Sequence, residues 1–213
     1  MKKTIELAKT YAMQHFSSAR HSHDWEHTQR VHTLCMHIGD IEGADLEILS
    51  IAAYLHDIGR IYQDQSRGEV CHAAIGSDIA AKLLKDTHLP EAKKDNIIHC
   101  ILSHRYRNSH TPQTKEAMVL FDADKLDATG AVGIARAYLF AGENGAMLHN
   151  CDVRPEETDA YTRDDTGYRE YVIKLSKIKQ AMFTKEGKRM AAERHAFMEQ
   201  FFERFLLEIQ GFV

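Results

Sequence analysis

His56 and Asp57 are adjacent and close an apolar segment (Leu46, Ile48, Leu49, Ile51, Ala52, Ala53, Leu55), with Gly59 standing where a helix C-cap is expected. A carboxylate beside an imidazole at the end of a core helix is costly to bury unless something cationic holds both, and a divalent metal ion is the usual solution. The pair is therefore a candidate set of metal ligands. The chain has 14 histidines, so their helical positions must decide which of them can join it. His27 precedes Val31, Leu34 and Ile38 by four, seven and eleven residues, which puts its ring on the face that must turn inward. His56 follows Leu49 by seven and Ala53 by three, and the small Ala52 and Ala53 let a neighbouring helix come close. Two inward histidines can thus meet. His72 shares a face with Ile75, Ile79 and Leu83, and His104 with Ile97 and Ile101. Each of these positions suits a hydrogen-bonded core imidazole as well as a ligand. His32 and His37 fall off the inward stripe and read as solvated or boundary residues, and His99 is weaker still. Asp122 lies in register with Met118 and Leu126 on an otherwise apolar helix and needs a partner. Either Lys125, three residues on, neutralises it, or Asp122 binds metal and Lys125 meets the anion that the metal also holds.

The elements that must position these residues are all helical. Nearly every apolar pattern has period 3.6, and no segment shows a sustained two-residue alternation bounded by hairpin signals. The pattern predicts an all-α fold with helices near 2–17, 25–39, 45–58, 72–87, 90–105, 114–128, 130–141, 167–182 and 185–210. The last carries Met190, Phe197, Phe201, Phe205 and Ile209 as one apolar stripe and reads as a long C-terminal helix packed across the domain. Loops near 59–71, 106–113 and 142–166 hold most of the polar sequence and are where a site mouth can lie.

Composition permits such a site. The 213 residues, 44% hydrophobic, suffice for one sizeable core, and with 3 prolines and no low-complexity stretch nothing marks a linker; we expect a single domain over 1–213. A formal charge of -4 without a long basic block gives little support to binding of a nucleic-acid polymer or a membrane surface, so a small-molecule partner is expected. Cys35, Cys71, Cys100 and Cys151 form no C-x-x-C pair, and the opening residues are interrupted by Glu6 and Lys9, unlike a signal peptide. No run is long enough to span a bilayer, and a reducing, cytoplasmic setting is expected.

Taken together, HDWEHTQRV at 23–31, AAYLHDIG at 52–59 and DADKLDA at 122–128 give the order H…HD…D on helices. In this the chain resembles the HD-domain superfamily of metal-dependent phosphohydrolases. GAVGIAR at 130–136 and the C-terminal helix from Arg189 to Glu208 resemble the branch of predicted small bacterial HD hydrolases, so the likeness covers most of 20–210, with the motif core at about 20–141 and C-terminal helices at 167–210. The resemblance implies that His27, His56, Asp57 and Asp122 converge on one divalent cation (Mn, Mg, Ni, Co, Fe or Zn) that activates water against a phosphate ester of a nucleotide or another small phosphorylated metabolite. On this reading His56 and Asp57 are central to catalysis. Some members hold a second metal, for which His72 and His104 occupy suitable positions. Arg30, one turn from His27, and Lys125 are the candidates for binding phosphate, although each position suits a structural salt bridge equally well. Ile58-Gly59-Arg60 lacks the acidic residue that alarmone hydrolases and HD-type 5′-nucleotidases carry after the dipeptide. The histidine doublet and glycine-tyrosine-proline signature of the cyclic-di-guanylate phosphodiesterases are also absent. Two other functions fit the same ligands: a di-iron oxygenase, and a non-catalytic binding module in which metal only holds the helices together.

Overall fold

The computed structural model describes residues 2–16, 25–66, 69–105 and 110–213, and among these there are helices and no strand. The all-α class follows from the 3.6-residue periodicity. His23 and Asp24 of the first motif lie outside the described residues. The chain divides into two compact units, Met1–Asp124 with Phe183–Glu186, and Lys125–Met182 with Gly187–Val213. The first contains α1 (Lys2–Phe16), α2 (Trp25–Glu42), α3 (Leu46–Leu55), α4 (Arg60–Gln65), α5 (His72–Leu84), α6 (Glu91–Ser103) and most of α7 (Lys115–Asp127). The second contains α8 (Gly130–Glu143), α9 (Gly167–Ile173), 3-10 turns at Pro155–Glu157 and Leu175–Ala181, and most of α10 (Lys185–Ile209).

The axis of the first unit is α3. Asp45 caps it, its Oδ1 accepting from the backbone N–H of Glu47 at 2.9 Å and of Ile48 at 3.2 Å, a contribution of about 1 kcal/mol. Every residue from Ile48 to Leu55 is buried, because α1, α2 and α6 all pack on this helix. A helix apolar all round belongs in the interior, and its C-terminal end is consequently carried into the core with His56 and Asp57 at its tip. Ile38 of α2 and Ile97 and Ile101 of α6 are fully buried, as are Leu49, Ile51 and Leu55 of α3 itself.

Gly59 is required for a different reason from the C-cap that its position implies. It does not adopt a left-handed φ. A Cβ built on it would lie 2.1 Å from the His72 carbonyl oxygen and 2.8 Å from the Gly76 nitrogen, so the turn after α3 lies directly against the first turn of α5. That approach sets His72 beside Asp57. The stretch 59–71, expected as a loop, contains α4, whose six residues are too few to display a helical period. The expected helix 167–182 is α9 followed by the tighter 3-10 run, the two separated at Lys174, which has φ -131°. On α10 the buried stripe is Gly187, Ala191, His195, Met198 and Phe202, about one residue out of phase with the expected one, and Phe197 is 46% exposed. Among the described residues no helix is long and apolar enough to cross a membrane.

Replacing Gly59 with Ala must drive a methyl group into backbone. The expected cost is about 1–3 kcal/mol, a drop in Tm of roughly 3–10 °C in a chain of this size. Thermal unfolding followed by circular dichroism checks this, and an unchanged Tm would contradict the close approach.

Candidate metal centre

Five helix ends supply the cluster. His27 is in the first turn of α2, His56 and Asp57 follow α3, His72 opens α5, His104 closes α6, and Asp124 is in the last turn of α7. Apart from Asp124, whose side chain is 14% exposed, all are buried to 3% exposure or less. The centre of the arrangement is Asp57. Its Oδ1 lies 3.4 Å from His72 Nε2 and 3.5 Å from His104 Nε2, and its Oδ2 lies 3.8 Å from the Nε2 atoms of both His27 and His56. His27 Nε2 is 3.4 Å from His56 Nε2 and 3.4 Å from Asp124 Oδ1, and His72 Nε2 is 3.1 Å from His104 Nε2.

The outer ring nitrogens decide what the inner ones carry. A carbonyl oxygen can only accept, so His56 Nδ1 donates to the Ala53 carbonyl at 2.8 Å and His104 Nδ1 donates to the Ile101 carbonyl at 2.6 Å. His72 Nδ1 donates in the same way to Gln63 Oε1 at 2.7 Å. The neutral rings therefore turn bare Nε2 lone pairs toward one another and toward a carboxylate, a repulsive arrangement without a positive charge among them. Protonation is a poor source of that charge. Burial pushes His56 down to about 4, against the upward pull of Asp57 and Asp124, and pushes His72 down to about 2, with His104, Arg60 and Arg105 acting in the same sense and Asp57 opposing. Divalent cations meet the requirement. Ligand atoms bonded to one ion at about 2.1 Å lie roughly 3–3.5 Å apart, close to the separations found here. Among the described residues two groups qualify, His27 with His56 and Asp124, and Asp57 with His72 and His104, each with its ligand atoms within 4.8 Å of one another. The donor set, imidazole nitrogens with carboxylate oxygens, suits a first-row divalent ion.

Asp122, expected as the fourth ligand, is engaged elsewhere. Its Oδ1 accepts from Phe183 N at 2.9 Å, and its Oδ2 accepts from Thr184 N at 2.8 Å and Thr184 Oγ1 at 2.7 Å. It anchors the segment leading into α10, and the carboxylate beside His27 is that of Asp124. Residues two apart on a helix point about 200° apart, so only one of Asp122 and Asp124 can face the histidines. Residues 119–123 are all buried, so the apolar period gives no single inward face there. Arg30 is half-buried one turn after His27, and Lys125 follows Asp124 near the end of α7. His32 bonds Ser50 at 2.8 Å and stacks on Tyr54, His37 is exposed beside Glu186, and His99 accepts from Gln113 N, all as ordinary histidines. Two contributors carried no sequence signal, Gln63, which orients His72, and Arg60, whose Nη2 lies 3.1 and 3.3 Å from the two oxygens of Asp57.

Two outcomes are expected. Asp124→Asn weakens Mn²⁺ binding by at least roughly tenfold, whereas Asp122→Asn chiefly lowers Tm; calorimetric titration and thermal unfolding of both variants check this, and the reverse pattern would restore Asp122 as the ligand. In the metal-free protein His56 and His72 stay neutral while histidines of the unfolded chain, with ordinary values near 6.5, take up protons. The unfolded state then binds more protons between about 6.5 and about 4, so stability must fall as pH is lowered through that window. Urea unfolding in the presence of a chelator tests it, and a flat profile is the contrary result.

A family model described as HD domain matches residues 24–129. The uncharacterised protein YpgQ of Bacillus subtilis (strain 168) is 30% identical over 221 residues, covering 98% of this chain and 95% of that one. The crystal structure of YpgQ in complex with ADP superposes with a TM-score of 0.72 at 29% identity, over 97% of this chain and 95% of that chain. An HD-superfamily hydrolase from Bacillus thuringiensis gives a TM-score of 0.77 at 29% identity, over 98% of both chains. Likeness in sequence and in helical path runs nearly end to end, and on the strength of it this chain belongs to the HD-domain superfamily.

Proposed function

We propose that the protein is a metal-dependent phosphohydrolase that cleaves a phosphate ester of a nucleotide or another small phosphorylated metabolite. The observation that carries this reading is the position of the Asp57 carboxylate between two pairs of imidazole Nε2 atoms. His27, His56 and Asp124 would hold one cation, His72 and His104 would hold a second, and Asp57 would serve both. A bound divalent cation supplies Lewis acidity, lowering the pKa of a water molecule and offsetting the charge of a phosphoryl group. The protein's own contribution is orientation. Ala53, Ile101 and Gln63 fix the rings by accepting from Nδ1, and such partners also raise the basicity of the inner nitrogens. Arg30 and Lys125 would meet the substrate phosphate, and such charge-assisted bonds stabilise phosphate oxygens. The ADP bound by YpgQ supports a nucleotide-sized phosphorylated ligand. The free thiols of Cys35, Cys71, Cys100 and Cys151 agree with a reducing, cytoplasmic setting.

A second reading, oxygen activation by a pair of irons, is favoured by one observation, the second group of Asp57, His72 and His104. One set of preparations separates the two. Cleavage of an aryl phosphate and of nucleoside di- and triphosphates is measured with each divalent metal in the intact chain and in Asp57→Ala, alongside iron content and oxygen uptake. Because even residues that only orient a ligand are worth about 10–100-fold, Asp57→Ala is expected to lose at least roughly 100-fold in metal-dependent cleavage with its helical content kept. Retained turnover overturns the proposal, and iron with oxygen uptake but no phosphate release moves the assignment to the oxygenase.

A further inference from the structure

Arg60 already sits where a cation is wanted. It is the first residue of α4, its backbone N–H donates to the Asp57 carbonyl at 2.9 Å, and its side chain turns back on the same residue. The contact is lopsided. Nη2 alone straddles the carboxylate, 3.1 Å from Oδ1 and 3.3 Å from Oδ2, while Nε is buried without a hydrogen-bond partner. A guanidinium committed to a carboxylate for good normally uses two parallel N–H bonds, and here half of that fork is unused. The oxygens that Nη2 holds are the ones facing the two histidine pairs. A divalent ion on either oxygen would compete with Arg60 for the same lone pairs and repel its charge. Arg60 and the cations are thus alternative partners of Asp57. The side chain is 18% exposed, so it borders solvent and has somewhere to turn.

We propose that Arg60 exchanges partners. Without metal it neutralises Asp57; with metal in place it is released and presents its Nε and Nη fork to the phosphate of the substrate. This rests on the metal-dependent phosphohydrolase reading above and adds a binding residue to it. The exchange offers a chemical logic for order, in which the anion finds its guanidinium only after the cations have taken the carboxylate.

The test uses two variants of the full chain and two probes, Mn²⁺ alone and inorganic phosphate in the presence of saturating Mn²⁺, each followed by calorimetric titration after circular dichroism has checked folding. Arg60→Met keeps the apolar stem and removes the charge. It is expected to bind Mn²⁺ about tenfold more tightly, since one nearby charge changes ion affinity by that much or more, and to bind phosphate at least about tenfold more weakly. Arg60→Lys retains the charge without the fork, so its Mn²⁺ affinity stays near that of the unaltered chain while phosphate binding is weakened. The opposed signs are what a purely structural salt bridge cannot produce. If Arg60→Met weakens both ligands, or leaves phosphate unaffected, the exchange is overturned while the metal site stands. If the unaltered chain binds neither Mn²⁺ nor phosphate, the phosphohydrolase reading fails and takes this inference with it.

Discussion

Asp57 has four imidazole nitrogens within 3.8 Å of its oxygens, and for three of those rings the hydrogen-bond partner on the far side leaves the near nitrogen bare. An anion among lone pairs in a buried site is unfavourable on its own, and the surrounding burial opposes the protonation that would relieve it. Positive charge has to be imported. Arg60 supplies part of it from the protein, and the separations between ligand atoms leave room for ions to supply the rest.

The fold assembles this arrangement by carrying helix ends inward. The last carbonyls of a helix lack partners within it, and the protein uses that deficit twice: His56 follows α3 and donates to a carbonyl three residues back, and His104 does the same after α6. Each helix thereby orients a ligand with its own backbone. The partial negative charge at those two C-termini also favours a cation there. The turn after α3 then has to lie against α5, and only glycine at 59 lets it come so close, so the second histidine pair depends on a missing side chain.

Much of this was written in the sequence where apolar residues mark an interior, on one face of α2 and all round α3. His27 and the His56-Asp57 pair read as inward because α2 and α3 declare an interior, and the longer helices emerged from period. Legibility failed where contrast failed. Along α7 five consecutive residues are buried, so the apolar period singles out no inward face, and the carboxylate beside His27 is that of Asp124 where Asp122 was expected. On α10 several aromatic rings cover more than one face, which shifted the expected stripe away from Met198 and Phe202. Arg60 and Gln63 act from a six-residue helix too short for any periodic signal, and their roles come only from the packing of α4 against α5.

The partners of the outer nitrogens differ in kind, and this bears on how such a site can evolve. Those of His56 and His104 are main-chain carbonyls, present whatever side chain occupies 53 or 101. The basicity of these two imidazoles is therefore shielded from drift by single-codon change. His72 is held by a replaceable amide, Gln63, so inherited variation in ion preference has an easy entry through that one ring and hardly any through the other two.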